Sequence, residues 1–377
     1  MNDGIRSMAT QNQDTAGAVG ELLAQLADFN PAVIAFFAAH QHDGDAVCNG
    51  LRAHFPNAQV VGCTTAGEFS ERGTMNGGIS ALALGAGKIA RAAVRLVRYD
   101  AGPIDEAIRG AVNAVARELG VDDPRAADPQ KYVGIVLFDG LSGREEEVNE
   151  ILGNIAPMLS FVGGSAGDGL EFNTTSVFAN GARTSNGTVL MLLESAVPFT
   201  IGKTCSFEPT EHAFRVTRAD VKNRVVFELD GEPVLDAYAK ALGLKPEQLD
   251  GNVFMSHPVG LIIDGEPWIR SPQRVVEGGG LKFYCNIAQG MKIRIMKSTD
   301  LVADSHRSID EARQALGAPI SGGLAFNCVL RRLEMDAKNL HEGFLDSFHG
   351  MQVGGFHTYG ETWLGHINQT LTAVWFA

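Results

Sequence analysis

PNAQVVGCTTAGEFS, residues 56–70, sets the pattern of the chain. A polar turn leads into an apolar run that ends in Val-Gly-Cys, ahead of a turn of small residues. Glycine at a strand end lets the backbone turn sharply and lets another backbone or a ligand come close. Two further stretches share the design: APMLSFVGGSAGDGL at residues 156–170 and GMQVGGFHTYGE at residues 350–361. Working back from each, an apolar strand and an amphipathic helix come first. The first unit has a strand at Val33–Ala38, a His/Asp/Gly loop and a helix reaching His54. The second has YVGIVLF at Tyr132–Phe138, a polar loop and a helix over Arg144–Ile155. The third begins with GLAFNCVLRR at Gly323 and continues through a helix over His341–Phe348. Alternating segments at Ile79–Leu84, Thr188–Leu193 and Thr370–Phe376 read as further antiparallel strands.

Self-similarity of this kind is the mark of a repeat architecture. The expected class is α/β: repeated strand–helix–strand units forming mixed sheets covered by helices, with an N-terminal duplicated half and a C-terminal domain. The polar, Ala/Gly/Gln-rich residues 1–20 read as a flexible N-terminus. A composition shift over Glu208–Ala219 marks a boundary, giving an N domain over 21–215 and a C domain over 216–377. Taken singly, each glycine turn reads as one the fold requires. Together they are expected to converge on one sheet edge, where ligands of α/β folds sit.

Composition removes several classes. A net charge of −13 with scattered Lys and Arg argues against nucleic acid or an anionic membrane. The longest apolar run, Ala32–Ala39, is far short of a membrane span, and nothing resembles a signal peptide, so a cytoplasmic protein is expected. Five widely spaced cysteines without a CxxC pair suit reduced thiols, not a disulfide frame or a structural zinc site. Walker, GxGxxG–helix and HExxH motifs are missing, and Gly278–Leu281 precedes a strand-like KFYCNI.

VGCTTAGEFSERG and VGGSAGD resemble the N domain of the FIST family. GGLAFNCVLRR at Gly322–Arg332, GGFHTYGE at Gly354–Glu361 and HINQTL at His366–Leu371 resemble its C domain. The resemblance covers nearly the whole chain. It implies an intracellular small-ligand sensor, not an enzyme. A chain with both domains and no kinase, receiver or cyclase segment is similar to the branch that binds haem and senses nitric oxide. That likeness implies a separately encoded histidine kinase as partner and an output in cyclic-di-GMP and biofilm signalling.

A haem sensor needs an axial ligand, usually a neutral histidine in an apolar pocket. His40, His42, His54, His212 and His306 sit in polar surroundings and read as solvated; His341 and His349 read as helix surface. His257, in VFMSHPVGLII, lies between apolar stretches and before a proline, which places it at a strand end with extended backbone. It is the first candidate for the metal. His357, on one strand face with Tyr359 and Glu361, and His366, beside the last strand, follow. The ordinary reading of each is a hydrogen-bonded structural histidine.

Two other readings stand beside this one. In the first, a free amino acid is held by Thr64, Thr65, Ser165 and glycine-turn amides, with Arg331 on its carboxylate and Tyr359, Glu361 and Asn368 completing the pocket. Arg331 and Glu361 pairing with each other is the structural counterpart. In the second, Cys63 or Cys328 is a thiolate ligand or a nucleophile with His357 or His366 as base. Buried, inert thiols are the commoner state.

Overall fold

The computed structural model describes residues 4–377. Residues 1–3 of the N-terminal segment expected to be flexible lie outside the described residues. The remainder of that segment is ordered, which corrects the expectation. Ile5–Thr10 is a strand paired antiparallel with Ile79–Gly85, and Thr15–Gln25 is a helix capped by the Asp14 carboxylate, which accepts from the Gly17 amide. Its polar residues mislead because they are buried with partners. The Ser7 hydroxyl donates to Glu71 at 2.6 Å, and the Thr10 hydroxyl donates to Glu21.

The chain forms two compact units. One holds the residues up to Lys203 together with Ser305–His366 and Leu371–Ala377; the other holds Thr204–Asp304 and Ile367–Thr370.

In the first unit the three expected repeats share one plan. β1 (Pro31–Ala39), α1 (Gly44–His54) and β2 (Gln59–Thr65) are followed by β3 (Glu68–Ser70) and β4 (Ile79–Gly85). β5 (Tyr132–Phe138), α2 (Glu145–Ile155) and β6 (Phe161–Ser165) are followed by β7 (Val177–Ala179) and β8 (Gly187–Ser195). β9 (Gly322–Cys328), α3 (Val329–Lys338), α4 (His341–Asp346) and β10 (Gln352–Thr358) are followed by β11 (Glu361–Trp363) and β12 (Thr370–Phe376). In each repeat the two main strands run parallel, and their last residues face one another: Ala39 with Thr65, Phe138 with Ser165, and Cys328 with Thr358. The long strand that closes each repeat pairs antiparallel with the first. The result is three separate six-stranded sheets. Helix α3 replaces the end of what reads as a strand, GLAFNCVLRR, because Arg331, Glu334 and Met335 fall on one buried helical face.

The short third strand of every repeat leaves its own sheet. β3 pairs with β10 of the third repeat, β11 pairs with β6 of the second, and β7 pairs with β2 of the first. The exchange therefore runs in a closed cycle. The inner faces of the sheets meet in one core that joins Phe37, Ile135, Leu137, Phe326 and Phe356. Phe37 stacks on Phe356 at 4.7 Å between centroids, and Phe326 meets Phe356 edge-on at 5.8 Å. Burying each such ring contributes about 1.5–3 kcal/mol.

The second unit is an eight-stranded sheet with helices over Val234–Leu242 and Gly251–Ser256 and a core that includes Val216, Tyr238, Phe254 and Ile295. The composition shift at 208–219 lies inside its longest strand, Phe207–Asp220, which pairs with Lys292–Ser298 and Val225–Leu229. That strand looks like a linker because one face is solvated, and polar residues alternate with apolar ones. Among the described residues no helix is long and apolar enough to cross a membrane.

Candidate functional site

The three glycine turns meet one another. Ala66 N donates to His357 O at 3.1 Å and His357 N to Gly67 O at 2.8 Å; Ser165 N donates to Gly360 O at 2.8 Å and Gly167 N to Thr64 O at 3.0 Å. Each turn carries the same four-residue signature: Thr65-Ala66-Gly67-Glu68, Ser165-Ala166-Gly167-Asp168 and Thr358-Tyr359-Gly360-Glu361. In the first and third, the hydroxyl donates to the carboxylate three residues on. Asp168 uses its carboxylate otherwise, accepting from the amides of Phe172, Asn173 and Thr174 and from the Tyr359 hydroxyl. The glycines are obligatory where backbones cross. Gly67 has φ +112°, and a Cβ on Gly360 would lie 2.1 Å from the His366 ring.

Where the first and third repeats join, a polar cluster is buried. Glu68 is 0% exposed and His357 1% exposed. The Glu68 carboxylate accepts from the Thr65 hydroxyl and, at 3.0 Å, from Gly78 N. Burial pushes its pKa up to about 7 against these hydrogen bonds and the nearby Arg332 charge. Arg331, 1% exposed, donates from Nε to Asn327 Oδ1 at 2.9 Å and from Nη2 to Ser305 Oγ at 3.0 Å. That contact fixes the Asn327 amide, whose Nδ2 then donates to His357 Nδ1 at 2.9 Å. His357 is therefore the Nε2–H tautomer. Burial, followed by the charges of Arg332, His341 and Arg331, holds its pKa well below the usual histidine range. Its Nε2 is buried and without a hydrogen-bond partner.

Other candidates lie apart from this cluster. Cys63 faces the apolar core, and burial followed by the Glu68 charge raises its thiol pKa well above the ordinary value. Cys328 is paired with Thr358, one residue on from the Asn327–His357 pair, so strand alternation sends its side chain to the other face from His357. The Thr64 hydroxyl accepts from Ser176 N at 3.0 Å, and Ser165 Oγ donates to Glu145 at 3.4 Å. Tyr359 gives its hydroxyl to Asp168, and burial together with that carboxylate raises its pKa. Glu361 accepts from the Thr358 hydroxyl.

Asn368 belongs to the second unit, where its Oδ1 accepts from Cys285 Sγ at 2.7 Å. His257 is also there. It caps the C-terminal end of the helix Gly251–Ser256 rather than ending a strand, with φ −132° and ψ 58°. Ser256 Oγ contacts its Nδ1 at 3.1 Å, and the Tyr238 hydroxyl donates to its carbonyl. Its Nε2 makes no hydrogen bond, and Phe254, Pro258 and Val259 beside it are buried. Glu68, Asn327 and Arg332 escape the motif reading, although the Thr-x-Gly-Glu spacing in two of the turns points to Glu68.

Three strand-exchanged repeats with polar clusters sealed at their strand ends define a mixed α/β repeat protein. The FIST N domain model matches residues 32–232 and the FIST C domain model matches residues 235–363. The chain belongs to the FIST family, whose domains are associated with sensory signal transduction. An uncharacterized protein of Methanocaldococcus jannaschii is similar to it, with 25% identity over 291 residues, covering 71% of this chain and 54% of that protein. The chain thus spans about half the length of that relative.

Proposed function

We propose that this protein is a haem-based nitric oxide sensor that acts on a separately encoded histidine kinase and, through it, on cyclic-di-GMP and biofilm signalling. The observation that supports the reading is His257. Its imidazole is half-buried, its Nδ1 is held by Ser256, and its Nε2 is left without a hydrogen bond. Metal-binding histidines have this arrangement, with one nitrogen oriented and the other free. Haem held there would supply an iron that takes a diatomic gas; His257 would provide a nitrogen to hold it, and Phe254, Pro258 and Val259 an apolar border. His357 does not fit the group, because Asn327 leaves its Nε2 protonated and without a lone pair for iron.

The test is an absorption spectrum of the purified protein reconstituted with haem, with and without nitric oxide. A Soret band that shifts with nitric oxide and is lost or altered in His257→Ala is expected. A protein that takes up no haem would reject the reading. The rival amino-acid pocket has less behind it: the hydroxyls of Thr64 and Thr65 are engaged.

A further inference from the structure

The second unit holds a cavity of about 340 Å³, and every residue that lines it belongs to that unit. Small-molecule sites usually measure about 300–1,000 Å³. Its walls come from the helix Val234–Leu242 and the strands Phe207–Asp220 and Val225–Leu229. The helix makes the room. Ala237, Lys240 and Ala241 share one helical face by their spacing, and the two alanines fill little of the space in front of it. With Phe214 and Leu229 they form an apolar floor.

The rim is polar and mainly acidic. The Asp230-Gly231 turn, with φ +51° and +83°, joins Leu229 to its pairing partner Glu232 and brings both acids to the cavity. Asp230 Oδ1 accepts from Arg215 N at 3.0 Å, and its Oδ2 makes no hydrogen bond. Glu232 Oε1 accepts from Lys240 Nζ at 3.5 Å, and its Oε2 makes no hydrogen bond. His212 reaches the rim from a bulge, where pairing with Lys292–Ser298 breaks between Pro209 and Ala213. Its ring makes no hydrogen bond and lies 3.9 Å from Glu211.

We infer that this cavity binds a small primary amine carrying a short apolar group. An ammonium brings three donors to a rim whose open groups are the Asp230 and Glu232 oxygens and the His212 ring. The apolar group covers Phe214, Leu229 and the two alanines, and its burial there adds to the affinity. An anion is disfavoured, because two carboxylates face one lysine and Glu232 already holds that lysine. A free amino acid is disfavoured on the same ground, since its carboxylate would have to take Lys240 from Glu232. A metal ion would leave the floor uncovered. The entrance is open to water, with the Glu232 side chain 54% and the Lys240 side chain 76% exposed. The site goes beyond the haem reading and makes no use of His257.

The experiment is a calorimetric titration of the full-length protein, without haem, with isoamylamine. Ammonium chloride, isovalerate and leucine are titrated beside it. A saturable heat with isoamylamine is expected, with none from ammonium or isovalerate. Asp230→Asn keeps an acceptor for Arg215 N and suits the positive φ, so it removes the charge without undoing the turn. Asp230→Asn and Glu232→Gln should each raise Kd roughly tenfold or more, as loss of a charge-assisted hydrogen bond does. Ala241→Leu fills the floor from its partly exposed side and should abolish the heat, whereas Lys240→Gln removes a competing cation and should leave Kd equal or lower. Thermal melts without ligand show that each variant is folded. No saturable heat with isoamylamine, an equal response to ammonium, or tighter binding of leucine or isovalerate overturns the proposal. So does an unchanged Kd in folded Ala241→Leu or in the Asp230→Asn, Glu232→Gln double variant. Failure of haem uptake leaves this result unaffected.

Discussion

Asn327 donates its side-chain amide to Nδ1 of His357 at 2.9 Å, across the parallel pair β9–β10 in which the two residues are register partners. The contact carries information from Arg331, which selects the amide orientation and thereby the histidine tautomer.

Asn327→Leu removes both halves of this relay. Arg331 Nε loses its acceptor and His357 Nδ1 its donor, each buried, so a loss of about 2–5 kcal/mol is expected from two unsatisfied groups. Urea unfolding measures it; a change under 1 kcal/mol, about the size of one ordinary hydrogen bond, would show that the relay has little weight. Asn327→Asp should instead turn Nδ1 into a donor and raise the His357 pKa, visible as a pH-dependent ring shift.

Glu68 makes stability depend on pH. Its folded pKa, about 7, stands above the ordinary 4.5, so the protonated acid is favoured by the fold. Its contribution is complete below pH 4.5 and is lost as pH rises through 7. Glu68→Gln, neutral throughout, should gain on the wild type between pH 5 and pH 8, by roughly 3 kcal/mol at most. A stability difference that stays flat across that range would refute the assignment.

Glycine substitutions should split by site. Gly360→Ala would drive a Cβ into the His366 ring and cost about 1–3 kcal/mol through overpacking. Gly110, in the helix Ile104–Glu118, has nothing within 4 Å of a built Cβ, and Gly110→Ala should stabilise by about 0.5–1 kcal/mol. Thermal melts of the two variants should move in opposite directions.

Thiol reactivity should follow burial. Cys48, Cys63, Cys285 and Cys328 are buried and Cys205 is partly exposed. A chromogenic disulfide reagent should label Cys205 first in the native protein, and Cys205→Ser should remove that fast phase. Rapid labelling of Cys63 would contradict the raised pKa of its thiol.

Much of the first unit is legible in the chain. The apolar runs at Val33–Ala38 and Tyr132–Phe138 and the Val-Gly strand ends give the parallel pairs because both faces of these strands are buried. The cyclic exchange is not legible. Its carriers, Glu68–Ser70, Val177–Ala179 and Glu361–Trp363, are three residues long, too short for any periodicity to show which sheet they join. At the site, Arg331 and His357 stand out as residue types. The link between them depends on Asn327, and asparagine in an apolar strand announces no partner. Glu68 follows a glycine turn and looks like a surface acid until the Thr65 hydroxyl and the Gly78 amide close over it.

The closed cycle of exchanged strands has a consequence for how the molecule comes apart. Each sheet is completed by a strand that belongs to another repeat, and the last of the three in chain order, β11, begins at Glu361. No repeat can be excised as a self-sufficient piece, and the second sheet waits for the C-terminal part of the chain before its edge is covered. The three repeats should therefore melt as one event, and a ribosome-bound chain stopped before Glu361 should remain open to proteolysis.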